Sequence, residues 1–216
     1  MAVELTYCVI NTERRQLLRY SLDAIARERA TVDFETETLV LDNASHDGSA
    51  GAARDHAATS SVISAPRRRD LAGNASELMR LASGRFCLLL AEDSELEPGA
   101  TAALHGALAA RETAAAAGAT LVSPDGDRLP SAWRFPGPTT AVLARLRRRL
   151  AAQSHGDEVR AVDWAPAAAL LVRRRAASQV GWLEGGEIEF CRRLDRAGWD
   201  VLYVPEARAV HHEAAR

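Results

Sequence analysis

Residues 6–90 alternate short β-rich runs with amphipathic helical stretches, and this alternation constrains the fold more than any other feature of the sequence. Residues 6–10 (TYCVI) read as a strand. Over 13–29, Leu17, Leu18, Leu22 and Ile25 then recur at spacings near 3.6, which predicts a helix with one apolar face. A second strand over 36–41 is stopped by the turn formers of 42–48 (DNASHDG), and a helix is expected over 49–56. A third strand at 61–64 leads through an Arg-rich loop, 66–70, to a helix at 74–83. The wholly apolar run 86–90 (FCLLL) suits a strand buried on both faces. Four strands alternating with three helices predict a mostly parallel, Rossmann-like α/β sheet flanked by helices.

Beyond residue 90 the rhythm changes. Residues 91–98 (AEDSELEP) crowd acids at one strand end, and an Ala-rich helix is expected over 99–117, ended by Gly118. The turn sequence 124–127 (PDGD) joins expected strands at 120–123 and 129–135, a smaller antiparallel part, before 136–138 (PGP) breaks the chain. A basic amphipathic helix is expected over 139–152 and a loop over 154–158. Strands at 168–172 and 200–204 flank a helix at 187–197, and the tail 207–212 follows.

Composition narrows the partners. The 27 basic residues, all Arg, stand against 29 acidic ones for a net charge of −2, so no nucleic-acid partner is expected. Contact with a membrane surface through Arg145, Arg147, Arg148 and Arg149 is the less favoured reading, because four Arg on a helix are more often a solvated face. No run approaches the roughly 18 apolar residues of a membrane span, and Glu4 stands where a secretion signal carries basic residues, so a cytoplasmic location is expected. Cys8, Cys87 and Cys191 are far apart in apolar or amphipathic runs and read as buried free thiols.

In an open parallel sheet, ligands gather beyond the carboxyl ends of the strands, where loops and helix N-termini offer free N–H groups. Three loops, 10–13, 42–49 and 91–95, place carboxylates around one such crevice.

Five segments, 42–49 (DNASHDGS), 84–90 (GRFCLLL), 93–99 (DSELEPG), 168–174 (AALLVRR) and 197–212 (AGWDVLYVPEARAVHH), resemble in order and spacing the family 2 glycosyltransferases of the GT-A fold, nearest the rhamnosyltransferase-like branch. The resemblance implies one domain over 1–216, with a nucleotide-binding half over about 1–98 and an acceptor half over about 99–216. It implies an inverting transfer of a sugar from a nucleotide-diphosphate donor to a small or lipid-linked acceptor that the sequence does not identify. Asn11, Asp42, Asn43 and Asp93 fall on the donor nucleotide site. Asp42 would accept the ring N–H of a uracil or thymine base, the alternative being an Asx turn.

Asp93 matches the last acid of the family's acid-x-acid motif and, with a late histidine, would hold Mg2+ or Mn2+, weakly without nucleotide. His211 or its neighbour His212 matches that histidine; successive side chains on a strand face opposite ways, so only one can point in, and His211 is taken as the metal ligand. Glu187 aligns with the general base of the family. Several positions depart from the pattern: Ala91 for the first acid of the metal motif, Gly186 for the acid before the base, Thr12-Glu13, Ser76, Leu78 and Pro166-Ala167 around the donor. These departures motivate an alternative, a catalytically impaired scaffold that acts as a nucleotide-binding or partner subunit.

Overall fold

A computed structural model describes residues 2–135 and 156–212. The expected basic helix at 139–152 lies outside the described residues. In chain order the elements are β1 (Leu5–Asn11), α1 (Arg15–Arg29), β2 (Thr36–Asp42), α2 (Ser49–Arg54), β3 (Ser61–Ser64), α3 (Leu71–Leu81) and β4 (Phe86–Ala91). Then come β5 (Ser94–Leu96), α4 (Ala100–Ala110), β6 (Ala114–Val122), β7 (Arg160–Val162), β8 (Ala169–Arg173), α5 (Arg174–Val180), α6 (Glu187–Arg196) and β9 (Asp200–His211).

The strands form one mixed sheet in the order β3-β2-β1-β4-β8-β6-β9-β5, with β7 also on β9. β3, β2, β1 and β4 are parallel, as the alternation predicts. β8 runs antiparallel between β4 and β6, while β6 and β9 are parallel to each other. This arrangement positions the site. Because β8 is reversed, its amino end, entered from 166–168, lies beside the carboxyl end of β4, with Leu90 paired to Ala169. The carboxyl ends of β1, β2 and β9 lie on the same edge.

Helices cover both faces, and each face buries its own apolar cluster. One centres on Leu18, Leu22 and Ile25 of α1 with Leu104 and Leu108 of α4; the other centres on Leu78 and Met79 of α3 with Phe190 and Leu194 of α6. Buried polar groups tie these layers together. Glu28, only 1% exposed, accepts from the backbone N–H groups of Gly99 at 2.8 Å and Thr101 at 2.6 Å, and so caps α4 from the end of α1. Arg173 donates from its side chain to the carbonyls of Leu108 at 2.7 Å and Ala114 at 3.0 Å, which satisfies the other end of α4. All three cysteines are buried and free, as expected.

Two expectations are corrected. The Ala-rich helix ends at Ala110, and Ala114–Val122 is instead a nine-residue strand with every residue buried. It pairs with β8 and β9, and at Gly118 one face is closely covered: a Cβ there would meet the Cβ of Ala165 at 2.4 Å. Strand pairing in a buried sheet therefore overrides the helix preference of Ala. The strand expected over 129–135 reduces to a bridge between Val122 and Arg128 and another between Trp133 and Trp164. The sequence reading also passes over β5, β7 and α5, each seven residues or shorter. No helix among the described residues is long and apolar enough to cross a membrane.

Candidate active site

At the carboxyl edge of the sheet, β1 and β2 end in register, Asn11 beside Asp42, and the loops that follow are stitched together. Asn11 donates from Nδ2 to Asp42 Oδ1 at 3.1 Å and to Ser45 Oγ at 3.2 Å. The Ser45 backbone N–H closes a turn onto Asp42 Oδ2 at 3.1 Å, and Ser45 Oγ accepts from the Glu13 N–H at 3.0 Å. Glu13 and Ala44 both hold the left-handed backbone conformation, at φ 56° and 55°, a cost that these bonds sustain. Asp42 is thus the turn former that its alternative reading describes, yet each of its oxygens keeps a further lone pair. The Oδ1 of Asn11 is buried without a partner. Asn43 points the other way: its amide donates to Thr12 Oγ1 and the Arg69 carbonyl and accepts from the Arg69 N–H, which ties the loop to the segment before α3.

Asp47, from the same loop, anchors two helices. It accepts from the backbone N–H of Arg15 at 2.9 Å and from that of Ser49 at 3.0 Å. Partial burial works against its charge, but the bonds from Ser49 and Arg15 prevail and hold its carboxyl below the ordinary aspartate value.

A cavity of about 230 Å³ opens between the ends of β1, β4 and β8. Ile10, Leu89 to Ala91, and Pro166 to Ala168 form most of its wall, and Glu187 and His211 bring the polar groups. Glu187 is the first residue of α6, entered through Gly186 at φ 85°. Among the described residues no hydrogen bond or ion pair engages its carboxylate. His211 ends β9, with Nε2 3.2 Å from Asp93 Oδ1 and a buried Nδ1 that has no partner. Burial opposes ionisation of Asp93, but the hydrogen bond and charge of His211, helped by Arg14, bring its carboxyl below the ordinary value. His212 faces away toward Glu95 at 3.4 Å, so of the two histidines it is His211 that lines the cavity.

The neighbouring acids are otherwise engaged. Glu92 pairs with Arg14 at 3.3 Å, and burial, followed by the charge of Asp93, raises its carboxyl above the ordinary value. Glu95 pairs with Arg27 at 2.9 Å. Ala91 presents only a methyl group to the cavity. Asp93 and His211 therefore stand as a two-residue set, and among the described residues no cluster of three metal-ligating side chains occurs. One carboxylate and one imidazole in mutual contact suit a divalent ion that draws its other oxygens from a diphosphate and water.

The sequence alone assigns Ser45 no role, although its place three residues after Asp42 is the signal for a turn-closing group. It has no signal for the Arg14–Glu92 pair, whose members lie far apart along the chain.

The sequence profile described as Glycosyl transferase family 2 matches residues 7–164. Two curated relatives from Mycobacterium tuberculosis strains, each named N-acetylglucosaminyl-diphospho-decaprenol L-rhamnosyltransferase, are 33% identical over 138 residues. The match covers 56% of this chain and 45% of each relative, so the chain spans about half the length of these relatives. Among solved structures, GalNAc-T7 with UDP, GalNAc and Mn2+ superposes with a TM-score of 0.73 at 15% identity, covering 98% of this chain and 44% of that one. The mannosyltransferase PcManGT of Pyrobaculum calidifontis, in complex with GDP-Man and Mn2+, gives a TM-score of 0.69 at 18% identity, covering 100% of this chain and 59% of that one. These likenesses establish the GT-A fold, and the profile match over most of the sequence establishes that the chain belongs to glycosyl transferase family 2.

Proposed function

We propose that this protein transfers a sugar from a nucleoside-diphosphate donor to a hydroxyl of a sugar-bearing, lipid-linked acceptor, with inversion. One observation carries the reading: Glu187 and His211, the latter 3.2 Å from Asp93, border a single cavity at the sheet edge where Asn11 and Asp42 also end their strands. The acceptor class follows the printed name of the curated relatives.

In this reading Asp42 accepts the imide N–H of a pyrimidine base through a free lone pair, while Asn11 and Asn43 hold the loop in shape. The sugar lies in the cavity between Ala167 and Glu187. Glu187 takes the proton of the acceptor hydroxyl as the acceptor oxygen bonds to the sugar's anomeric carbon. The bond from that carbon to the diphosphate breaks on the opposite face, and the nucleoside diphosphate leaves with the electron pair. Asp93 and His211 would hold Mg2+ or Mn2+, which when bound supplies positive charge against the leaving diphosphate. His211 is also placed to meet a phosphate oxygen directly.

The second reading, a scaffold that binds nucleotide without turnover, is favoured by the methyl group of Ala91 in the cavity wall and by the arginine partners of Glu92 and Glu95. Release of nucleoside diphosphate from UDP- and dTDP-sugars with an N-acetylglucosaminyl acceptor, measured beside nucleotide affinity, separates the two. Turnover that needs both substrates supports transfer; affinity without turnover for any donor supports the scaffold.

A further inference from the structure

The first residue of β5, Ser94, follows Asp93 directly. The antiparallel register of β5 on β9 sets Ser94 opposite His211, so both side chains leave the same face of the sheet. The His212 N–H donates to the Asp93 carbonyl at 3.0 Å, across the flank of this pair. Ser94 and His211 are therefore a pair without backbone bonds between its two members, the kind whose Cα atoms stand about 4.5 Å apart and whose side chains come closer. The next residue on each strand, Glu95 and His212, meet on the other face.

Both members of the pair bury a polar atom that has no partner among the described residues. Ser94 is fully buried and its Oγ has no hydrogen bond, and His211 Nδ1 is buried and equally without one. Among the described residues no other two such atoms belong to opposed strand residues. Buried polar atoms in folded proteins are overwhelmingly bonded, and leaving two of them empty side by side costs more than a change of rotamer at Ser94.

We propose that the Ser94 hydroxyl hydrogen-bonds His211 Nδ1 and so acts as a positioning residue, holding the ring with Nε2 at Asp93. The purpose of the bond rests on the transferase reading above; its existence does not. With Nε2 3.2 Å from Asp93 Oδ1, the consecutive residues 93 and 94 then grip both nitrogens of one ring. A hydroxyl suits this place because it both donates and accepts. While the Nε2–H points to Asp93, Nδ1 offers a lone pair and accepts from the Ser94 O–H. With the Nε2 lone pair turned to a divalent ion, Nδ1 carries the hydrogen and donates it to Ser94 Oγ. An alanine would hold neither form.

The test uses the full chain with nitrogen-15-labelled histidine, read by NMR without metal or nucleotide. The His211 Nδ1 resonance of the parent should have the shift of a hydrogen-bonded nitrogen. In Ser94→Ala it should move to that of an unbonded one, while the resonances of His46, His56 and His105 stay in place. Mn2+ affinity, measured by electron paramagnetic resonance with UDP saturating, should fall about tenfold or more in Ser94→Ala. UDP affinity without Mn2+ should change by less than about threefold. An unbonded Nδ1 in the parent overturns the bond even if the variant does not fold. The same Nδ1 resonance in both proteins, or equal Mn2+ affinity in both, overturns the positioning role. If the parent takes up no Mn2+ beside UDP while Nδ1 still follows Ser94, the metal part of the transferase reading fails by itself and the Ser94–His211 bond stands.

Discussion

Asp42 is 3% exposed, and each of its oxygens already accepts one protein donor, so what a substitution does there depends on those donors as much as on any ligand. In Asp42→Asn, the Asn11 amide can turn so that its unpartnered Oδ1 faces the new N–H, and a carbonyl still serves Ser45 or the base. Asp42→Ala leaves the Ser45 N–H and the ligand's imide without an acceptor. Uridine diphosphate should therefore bind Asp42→Ala more weakly than Asp42→Asn by about 1 kcal/mol or more, as titration calorimetry would measure. Equal affinities in the parent and both variants would place the base elsewhere. At Glu187, the change to Gln should preserve uridine diphosphate affinity while lowering turnover by roughly 10² to 10⁴. A residue that only meets the dipole at the start of α6 would instead lose about 0.3–1 kcal/mol of stability with turnover intact, and melting curves beside the transfer assay tell these apart. Asp42, Asp93, Glu187 and His211 are legible in the sequence because each sits at a strand or helix end within a recognisable segment. Ser45 and the Arg14–Glu92 pair are not, because their roles come from loops that meet only after folding.

At the scale of elements, β6 shows where local reading fails and why. Residues 114–117 are consecutive alanines, the strongest helix formers, yet they continue no helix because they fall in a fully buried strand whose backbone pairs with β8 and β9. The first four strands were legible from their apolar runs and turn formers; β6 required knowledge of its neighbours. Gly118 makes the constraint measurable. Its added Cβ would lie 2.4 Å from the Cβ of Ala165, which has no side-chain freedom with which to retreat. Gly118→Ala should cost about 1–3 kcal/mol, seen as a lower urea midpoint with an unchanged slope. A midpoint equal to the parent's would mean that the 160–168 segment yields easily. The capping carboxylate of Glu28 gives a comparison on the opposite face: Glu28→Gln keeps the size but can offer only one acceptor oxygen to the N–H groups of Gly99 and Thr101. About 1–3 kcal/mol should be lost there too, without effect on nucleotide affinity.

Across the whole molecule, the reversed strand β8 is what gathers the site, and its direction could not be read from the sequence: a strand buried on both faces has the same apolar pattern in either direction. Its reversal carries Pro166 to Ala168 to the edge where β1 and β4 end, while β9 delivers His211 to Asp93 from the far end of the chain. Residues from both halves of the sequence thus reach one cavity, and in the proposed reading a nucleotide bound there should couple to a metal held by Asp93 and His211. In the proposed reading Asp93 and His211 would offer two ligands, too few for tight binding of a divalent ion, so the diphosphate would complete the shell. Mn2+ should bind the free protein weakly, and uridine diphosphate and Mn2+ should strengthen each other by the same factor, since the coupling is reciprocal. At about 100 times its dissociation constant the nucleotide alone should add roughly 2.7 kcal/mol of stability, and Mn2+ should raise the melting temperature further only when nucleotide is present. Calorimetric titrations in both orders check this, with Asp93→Asn as the control that should lose the Mn2+ dependence and keep most of the nucleotide affinity. Tight Mn2+ binding to the free protein, or a nucleotide affinity indifferent to Mn2+, would remove the ion from this junction and leave His211 to meet the diphosphate alone.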